Sequence, residues 1–464
     1  MKLDFSNLPF RSRAFNEEPM KFVEPEPKSF LSAMIDLIMI ETGKRKAREN
    51  WQKAQLRNLL KHAHERSPFW RKRIATKKFS ALTLSDLPIL TRNDVIHQVE
   101  SEGPLLGRGD GFGVKVHSTS GSSGTPVKFF ISHMNSDYSQ ARSLAQYLME
   151  GRDLSLNRVR VRPLDYKEAK DLRIEEKRGF YVEVSDGWLG PLGSLFRSGI
   201  SKTMSYLAPN RDLLFEELSK DRIGYLVAGP VFLEANFVGS DFDFLKTHET
   251  EMFIPLGEEA DTDLRCEFFA RNITVRGNYS SEEVGLIGWE CESYPSHYHV
   301  AHSNVIVEVD RRGGVTVGGK LLGRILLTHL HSYATPFIRY DVGDLGKLTD
   351  TCGCGHDGPT ISNILGRAKD LIKHSDGRLG VFFIRAKELM KVAQFTEYRI
   401  RQTSLDTIVL DLAGCEKLTE DQHKSFAELI KNHAGYDFTV DVRAVKEIDW
   451  GQSIKRLGFR NEVL

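Results

Sequence analysis

Apolar and polar positions alternate along this chain with two periods, and the changes of period divide it. From Thr42 to Arg66 charged and apolar residues recur at helical spacing, with Trp51, Leu56, Leu59 and Leu60 on one side, which predicts a helix. Residues 1–40 carry Pro9, Pro19 and Glu24-Pro25-Glu26-Pro27, then an apolar stretch from Phe30 to Ile40. They read as an irregular arm leading into that helix. Between about 110 and 345, short Val/Ile-rich runs alternate with helical stretches, the pattern of an α/β domain. Ile223 to Pro230 reads as a buried strand ending in a turn. Val305 to Val309, then Asp310-Arg311-Arg312-Gly313-Gly314, puts Gly314 to Lys320 on the far side of a hairpin.

Beyond Gly366 the rhythm changes. Helix signals at Arg385 to Gln394 precede strands at Tyr398–Gln402 and Thr407–Leu412. A helix from Thr419, with Gln422 completing a capping box, runs to Gly435, and a strand follows at Phe438–Val445. The domains expected are an arm over 1–40, a large domain over 41–366 and a compact αββαβ lid over 367–464. No internal repeat or low-complexity tract interrupts them.

Charge narrows the partners. The 64 basic and 63 acidic residues give a formal net charge of +1, without the basic excess of a general nucleic-acid-binding surface. No apolar run reaches the roughly 18 residues of a membrane span. The start, Met1-Lys2-Leu3-Asp4-Phe5-Ser6, does not read as a secretory signal, so a cytoplasmic protein is expected.

Candidate chemistry begins at Ser118 to Pro126, Ser-Thr-Ser-Gly-Ser-Ser-Gly-Thr-Pro, nine small residues of which six are hydroxylated. The strand-like run Gly113 to His117 precedes this stretch and the apolar run Val127 to Ile131 follows it. A loop so built lets backbone N–H groups and hydroxyls crowd around an anion, and a phosphate is the natural ligand. A flexible linker is the alternative, but linkers seldom separate two strand signals. It is not the nucleoside-triphosphatase loop, which needs Gly-Lys-Ser/Thr; the nearest approach, Gly314 to Lys320, is followed by Leu321.

The Ser/Thr/Gly loop resembles the phosphate-binding signature of the adenylate-forming (acyl-CoA synthetase/luciferase) superfamily. Within it the chain looks most like the phenylacetate–CoA ligase branch, including its capsule-biosynthesis relatives. Three further segments resemble the superfamily's motifs in order. Tyr279-Ser280-Ser281-Glu282-Glu283-Val284-Gly285 is similar to the aromatic-to-glutamate motif. Ile338-Arg339-Tyr340-Asp341-Val342-Gly343-Asp344 is similar to the ribose-binding aspartate motif, and Gly366-Arg367-Ala368-Lys369-Asp370-Leu371-Ile372-Lys373 to the hinge. Leu59 to Trp70 and Leu87 to Val95 resemble the branch's N-terminal landmarks. The fold implied is α/β, a large N-terminal domain of β-sheets with packed helices plus a small mobile α+β C-terminal domain.

The resemblance implies ATP, Mg2+ and CoA as cofactors and a role for each motif residue. Thr119, Ser120, Gly121, Ser122, Ser123, Gly124 and Thr125 would hold the β- and γ-phosphates. Many superfamily members carry a lysine after the loop proline, but Val127 stands there; strand alternation puts Lys128 on the opposite face. Glu283 would hold magnesium, with Glu282 the competitor in a register shifted by one. Tyr279 would stack near adenine or wall the acid pocket. Asp344 would accept from the ribose hydroxyls, and Arg367 would reach ribose or phosphate. Lys369 marks the hinge. Lys455, in Ser453-Ile454-Lys455-Arg456-Leu457, is the candidate catalytic lysine, although Ile454 stands where the family usually has glycine. Trp188, Ala228, Gly229, Gly277 and Tyr279 form the candidate substrate pocket.

The five cysteines, Cys266, Cys291, Cys352, Cys354 and Cys415, do not make a disulfide scaffold. Cys352-Gly353-Cys354-Gly355 is a tight knuckle, and Cys291 is followed by His297 and His299. Cys291, Cys352, Cys354 and His299 would close a tetrahedral structural zinc site, with His297 and His302 as alternative imidazoles and free buried cysteines as the other reading. Tyr298-His299-Val300 resembles the histidine segment of zinc-bearing members.

The function implied is ATP-dependent activation of a carboxylic acid, aryl or otherwise apolar, as an acyl-adenylate, then transfer to CoA. A carrier-protein thiol, an amine or a hydroxyl is the alternative acceptor. A non-catalytic nucleotide-binding relative is the third reading, resting on the altered surroundings of Lys455 and the absent loop lysine. A homodimer is compatible with the resemblance.

Overall fold

The computed structural model describes residues 27–75, 78–106, 113–119, 127–163, 180–185, 203–208, 210–220, 222–237, 239–317, 320–366, 371–415, 417–449 and 458–463. The helix Arg45–Arg66 buries Trp51, Leu59, Leu60 and Ala63, the face that the spacing marks out. The expected irregular arm is corrected over its second half: Pro27–Thr42 is a helix. Pro27 opens it, where the missing N–H would be unpaired in any case. Leu37 and Ile38 pack on Ala141 and Ala145 of the helix His133–Met149. The carboxylate of Glu41 accepts from the backbone N–H groups of His302 and Ser303, at 3.2 and 2.8 Å.

Two sheets carry the large unit. One has seven antiparallel strands, in the order 305–317, 320–329, 340–349, 360–365, 297–300, 285–290 and 278–281. The other has six, in the order 203–208, 180–185, 158–163, 225–228, 252–255 and 274–275, with the last four parallel. Tyr225–Ala228 is the expected buried strand; it leads through Gly229 into the helix Pro230–Asn236. The expected turn at Asp310 to Gly314 is instead an irregularity within the strand Val305–Val317, which pairs antiparallel with Lys320–His329. The two strands pair as the expected hairpin, in register to Val317↔Lys320. Among the described residues no helix is long and apolar enough to cross a membrane.

The small unit is a four-stranded sheet, ordered 439–445, 407–413, 397–402 and 459–461, packed on the helix Glu420–Ala434. Its capping box forms as expected: Gln422 N–H donates to Thr419 Oγ1 and Thr419 N–H to Gln422 Oε1. Gly435 closes the helix at φ +60°, a conformation that favours glycine. Each sheet has its own buried cluster, around Phe337, Phe253 and Phe426 respectively. Burying each such side chain contributes about 1.5–3 kcal/mol.

Candidate active site

The Ser/Thr/Gly loop joins two paired strands, Val114–Ser118 and Lys128–Ser132, in register from Val114↔Ser132 to Ser118↔Lys128. Thr119 closes its base: its N–H donates to the Val127 carbonyl at 3.0 Å, and Val127 N–H donates to Thr119 Oγ1 at 3.0 Å. Both ends of the loop are thereby fixed within a few ångströms of each other. Ser120, Gly121, Ser122, Ser123, Gly124 and Thr125 lie outside the described residues. Val127 is wholly buried and Lys128 exposed, on opposite faces as the alternation requires. The nearby cation is one that the sequence pattern does not signal. Arg92 donates from Nη2 to Thr119 Oγ1 at 3.4 Å. It opens the helix Arg92–Glu102, which Thr91 and Asp94 cap reciprocally.

Glu282 and Glu283 occupy the turn between the antiparallel strands 278–281 and 285–290, which Gly285 completes at φ +70°. Their side chains take different surroundings. Glu283 is buried and accepts from Tyr340 Oη at 3.0 Å. Glu282 reaches outward to His117 Nε2 at 2.8 Å, and that bond raises the imidazole pKa above its usual value. Arg339, just before Tyr340, is held in the left-handed region at φ +53°. Its N–H donates to Thr328 Oγ1 and its side chain pairs with Glu308 at 3.1 Å. Such a conformation costs about 1–3 kcal/mol and persists where the surroundings over-determine it.

Tyr279 Oη donates to Asp344 Oδ2 at 2.8 Å. Burial first, then the Asp344 charge, pushes the Tyr279 phenol well above its usual pKa, so it stays a donor. The neighbouring Asp341 is engaged elsewhere, with Arg324 and the Gly343 N–H. Asp344 is therefore the carboxylate of its motif that faces the cavity.

These parts border one cavity of about 690 Å³ between the large and small units. Arg92, Thr119, Glu282, Glu283, Tyr279 and Asp344 line the large side; Phe382, Ile400, Gly458, Phe459 and Arg460 line the other. Gly277 stands on the wall with Tyr279. A Cβ at Gly277 would lie 3.2 Å from Glu290 Oε2 and 3.3 Å from Tyr298 Oη, so a side chain there would crowd both. Ala228 is wholly buried in the six-stranded sheet's core, and Gly229 caps the helix that puts Val231 on the cavity. Trp188, Arg367, Lys369 and Lys455 lie outside the described residues.

The wall also includes Gly257 to Asp261, which the motif reading passed over. This loop follows the parallel strand Met252–Pro255. The available signal is topological, since ligands of open α/β sheets bind beyond the carboxyl ends of parallel strands. Below it Glu290 is buried, accepting from Arg265 at 2.7 Å and from the Gly277 and Ser296 N–H groups at 2.7 Å each. Taken together, the cavity offers acceptors suited to a hard cation and to hydroxyls, with Thr119, at the base of the Ser/Thr/Gly stretch, on its edge.

A second cluster begins at Cys291, the residue after Glu290. The donor atoms of Cys291, His299, Cys352 and Cys354 all fall within 4.8 Å of one another. Sγ of Cys291 and Cys352 are 3.8 Å apart, and Cys354 Sγ is 3.4 Å from His299 Nε2. Zinc–sulfur bonds of about 2.3 Å at tetrahedral angles separate two sulfurs by about 3.8 Å, so the set fits zinc. Of the three imidazoles weighed, His299 is the one in the cluster. Burial lowers its pKa to about 4, favouring the neutral form that binds metal.

The chain has the fold of the adenylate-forming ligases. It resembles 2-hydroxyisobutyryl-CoA ligase in the postadenylation state, in complex with R3-HIB-AMP, at a TM-score of 0.61 and 16% identity, covering 96% of this chain and 95% of that one. Against the same ligase in the thioesterification state, with 2-HIB-AMP and CoA, the TM-score is 0.53 at 17% identity, with 96% of both chains covered. The acyl acid amido synthetase GH3.15 matches at 0.50 and 13% identity, over 92% of this chain and 90% of that one. No family model matches the chain, and no curated protein matches it significantly.

Proposed function

We propose that the chain is an AMP-forming acid–CoA ligase of the phenylacetate–CoA ligase type. It joins a carboxylic acid to ATP as an acyl-adenylate, releasing pyrophosphate, and then transfers the acyl group to the CoA thiol. The observation that carries this reading is the convergence of Thr119, Tyr279–Asp344 and Tyr340–Glu283 on one cavity beneath the small unit. In this reading the Ser/Thr/Gly loop holds the β- and γ-phosphates, and Arg92 beside Thr119 supplies charge that the absent loop lysine would have given. Asp344 accepts from the ribose hydroxyls while the Tyr279 ring lies against the base.

Glu283, oriented by the Tyr340 hydroxyl, would ligate magnesium, which neutralises phosphate charge during the displacement. Glu282, bonded to His117, is the weaker claimant. Val231, Pro255, Tyr279 and Tyr298 on the wall support an aryl or otherwise apolar acid. Lys455 would bring its charge to the α-phosphate and carboxylate, Arg367 would reach ribose or phosphate, and Lys369 would let the lid turn between half-reactions. The stronger likeness to the postadenylation than to the thioesterification state of one ligase supports a lid arranged here for the first. The Cys3His set would hold a structural zinc, whose filled shell leaves no position for substrate.

The test is pyrophosphate release across a panel of carboxylic acids, followed by addition of CoA and mass spectrometry for a thioester. Release with at least one acid is expected, and Lys455→Ala is expected to slow it by roughly 10²-fold with ATP binding kept. An adenylate that forms but is not taken up by CoA would move the acceptor to a carrier-protein thiol, an amine or a hydroxyl. ATP binding without release for any acid would establish the non-catalytic reading instead.

A further inference from the structure

At the cavity's edge a cluster of charges joins the two units. Arg385 comes from the small unit, as the residue capping the helix Ala386–Met390, and it is 5% exposed. Its Nε donates to Asp261 Oδ2 at 2.6 Å and its Nη2 also reaches Asp261, a two-pronged pair. Nη1 donates to Asp263, and Nη2 lies 3.3 Å from Glu234 Oε1. All three carboxylates belong to the large unit: Glu234 to the helix Pro230–Asn236, Asp261 and Asp263 to the start of the helix Thr262–Phe269. Asp261 also lines the cavity and caps its own helix by accepting from the Leu264 N–H at 2.9 Å.

One guanidinium thus stands among three carboxylates. Remove it and the three carboxylates of the large unit stand beside one another without that guanidinium from the small unit. Placed at its own helix's N-terminus, an arginine is also unfavourable toward the helix dipole, so the carboxylates are what keeps it there. A planar fork suits a paired aspartate; an ammonium does not replace it.

We propose that Arg385 is an ionic latch and a positioning residue: it fastens the small unit in this orientation and steadies the Gly257–Asp261 wall for the adenylation step. The latch must release for the small unit to turn. This inference rests on the two-half-reaction reading above, and it predicts that adenylation depends on Arg385 while thioester formation does not. In the second orientation Asp261, Asp263 and Glu234 regain water.

The test compares full-length wild type, Arg385→Glu, and Arg385→Glu with Asp263→Arg. Small-angle scattering without ligand is expected to give a larger radius of gyration for the single variant and a return toward wild type for the reversed pair. Pyrophosphate release, with an acid found by the panel, is expected to fall roughly tenfold or more in kcat for the single variant. Thioester formation from supplied acyl-adenylate and CoA is expected to stay within about twofold. Unchanged scattering in Arg385→Glu, or equal loss of both half-reactions, overturns the latch. If that variant does not fold by circular dichroism, Arg385→Gln serves, since it removes the charge and the contacts to Asp261, Asp263 and Glu234 with less repulsion. A wild-type scattering profile in Arg385→Gln would then refute the proposal. Wild type that releases no pyrophosphate with any acid overturns the activity reading alone, and the scattering still decides the latch.

Discussion

The Cys/His cluster and the cavity are neighbours built on opposite plans. All four cluster donors come from one sheet. Cys291 follows the strand 285–290, His299 sits on 297–300, and Cys352 and Cys354 occupy the turn between 340–349 and 360–365. Because 297–300 pairs with both 285–290 and 360–365, ladder hydrogen bonds alone bring the donors together. The cavity instead draws Thr119 from a separate two-stranded hairpin, Glu283 from a turn, and Phe459 and Arg460 from another unit. A site complete within one sheet serves stability. A site divided between units suits the proposed reaction, in which the units would move, and would need separate fastening such as that proposed for Arg385.

The largest effect should separate the two plans. Cys352→Ser is expected to remove the metal and lower unfolding stability by about 4 kcal/mol or more, read by elemental analysis and thermal unfolding. Glu283→Gln should do the converse, leaving the melting temperature near wild type and slowing pyrophosphate release roughly 10²-fold. Glu282→Gln, at the adjacent position, should change the rate only a fewfold. If wild type carries no zinc, or Cys352→Ser is as stable, the cluster is merely three free thiols beside an imidazole. If the two glutamine variants are equally slow, the carboxylates share the role.

How much of this was legible in sequence follows from the range of each contact. The capping box at Thr419 and Gln422 lies within four residues, with a glycine stop, and the helix appears where the pattern places it. Glu283 and Asp344 could be proposed because motif spacing carries them, but only their side-chain partners set Glu283, held by Tyr340, apart from Glu282, held by His117. The strand Phe459–Asn461 went unseen: three residues hold no period, and its partner is the parallel strand 397–402. The roles proposed for Arg92 and Arg385 were likewise invisible. Their partners lie 27 and 124 residues away, and an arginine in a polar stretch looks like any solvated one. The helix Pro27–Thr42 was lost to the prolines before it, which announced an irregular arm. The turn expected at Asp310 became an irregularity because Gly313-Gly314 can kink a strand as well as end one.

The smallest effect tests whether the outward carboxylate is electrostatic trimming. The His117 imidazole is bonded to Glu282 Oε2 at 2.8 Å, and that bond raises its pKa in the folded protein. The two side chains are 42% and 60% exposed, so water and salt screen the pair to about 0.5 kcal/mol. A raised folded pKa means that the stabilisation is complete below the unfolded histidine value, near 6.5, and disappears as pH rises through the folded value. His117→Asn should therefore be slightly less stable than wild type at pH 6 and equal to it at pH 9 in denaturant unfolding. The gap should narrow further at 1 M salt, where the Debye length is about 3 Å. A gap that instead widens with pH would show that His117 contributes through its neutral form, by packing against the Phe129 ring 5.3 Å away. The His117–Glu282 pair would then contribute nothing to stability over the working range, and the distinction drawn between the two glutamates would weaken with it.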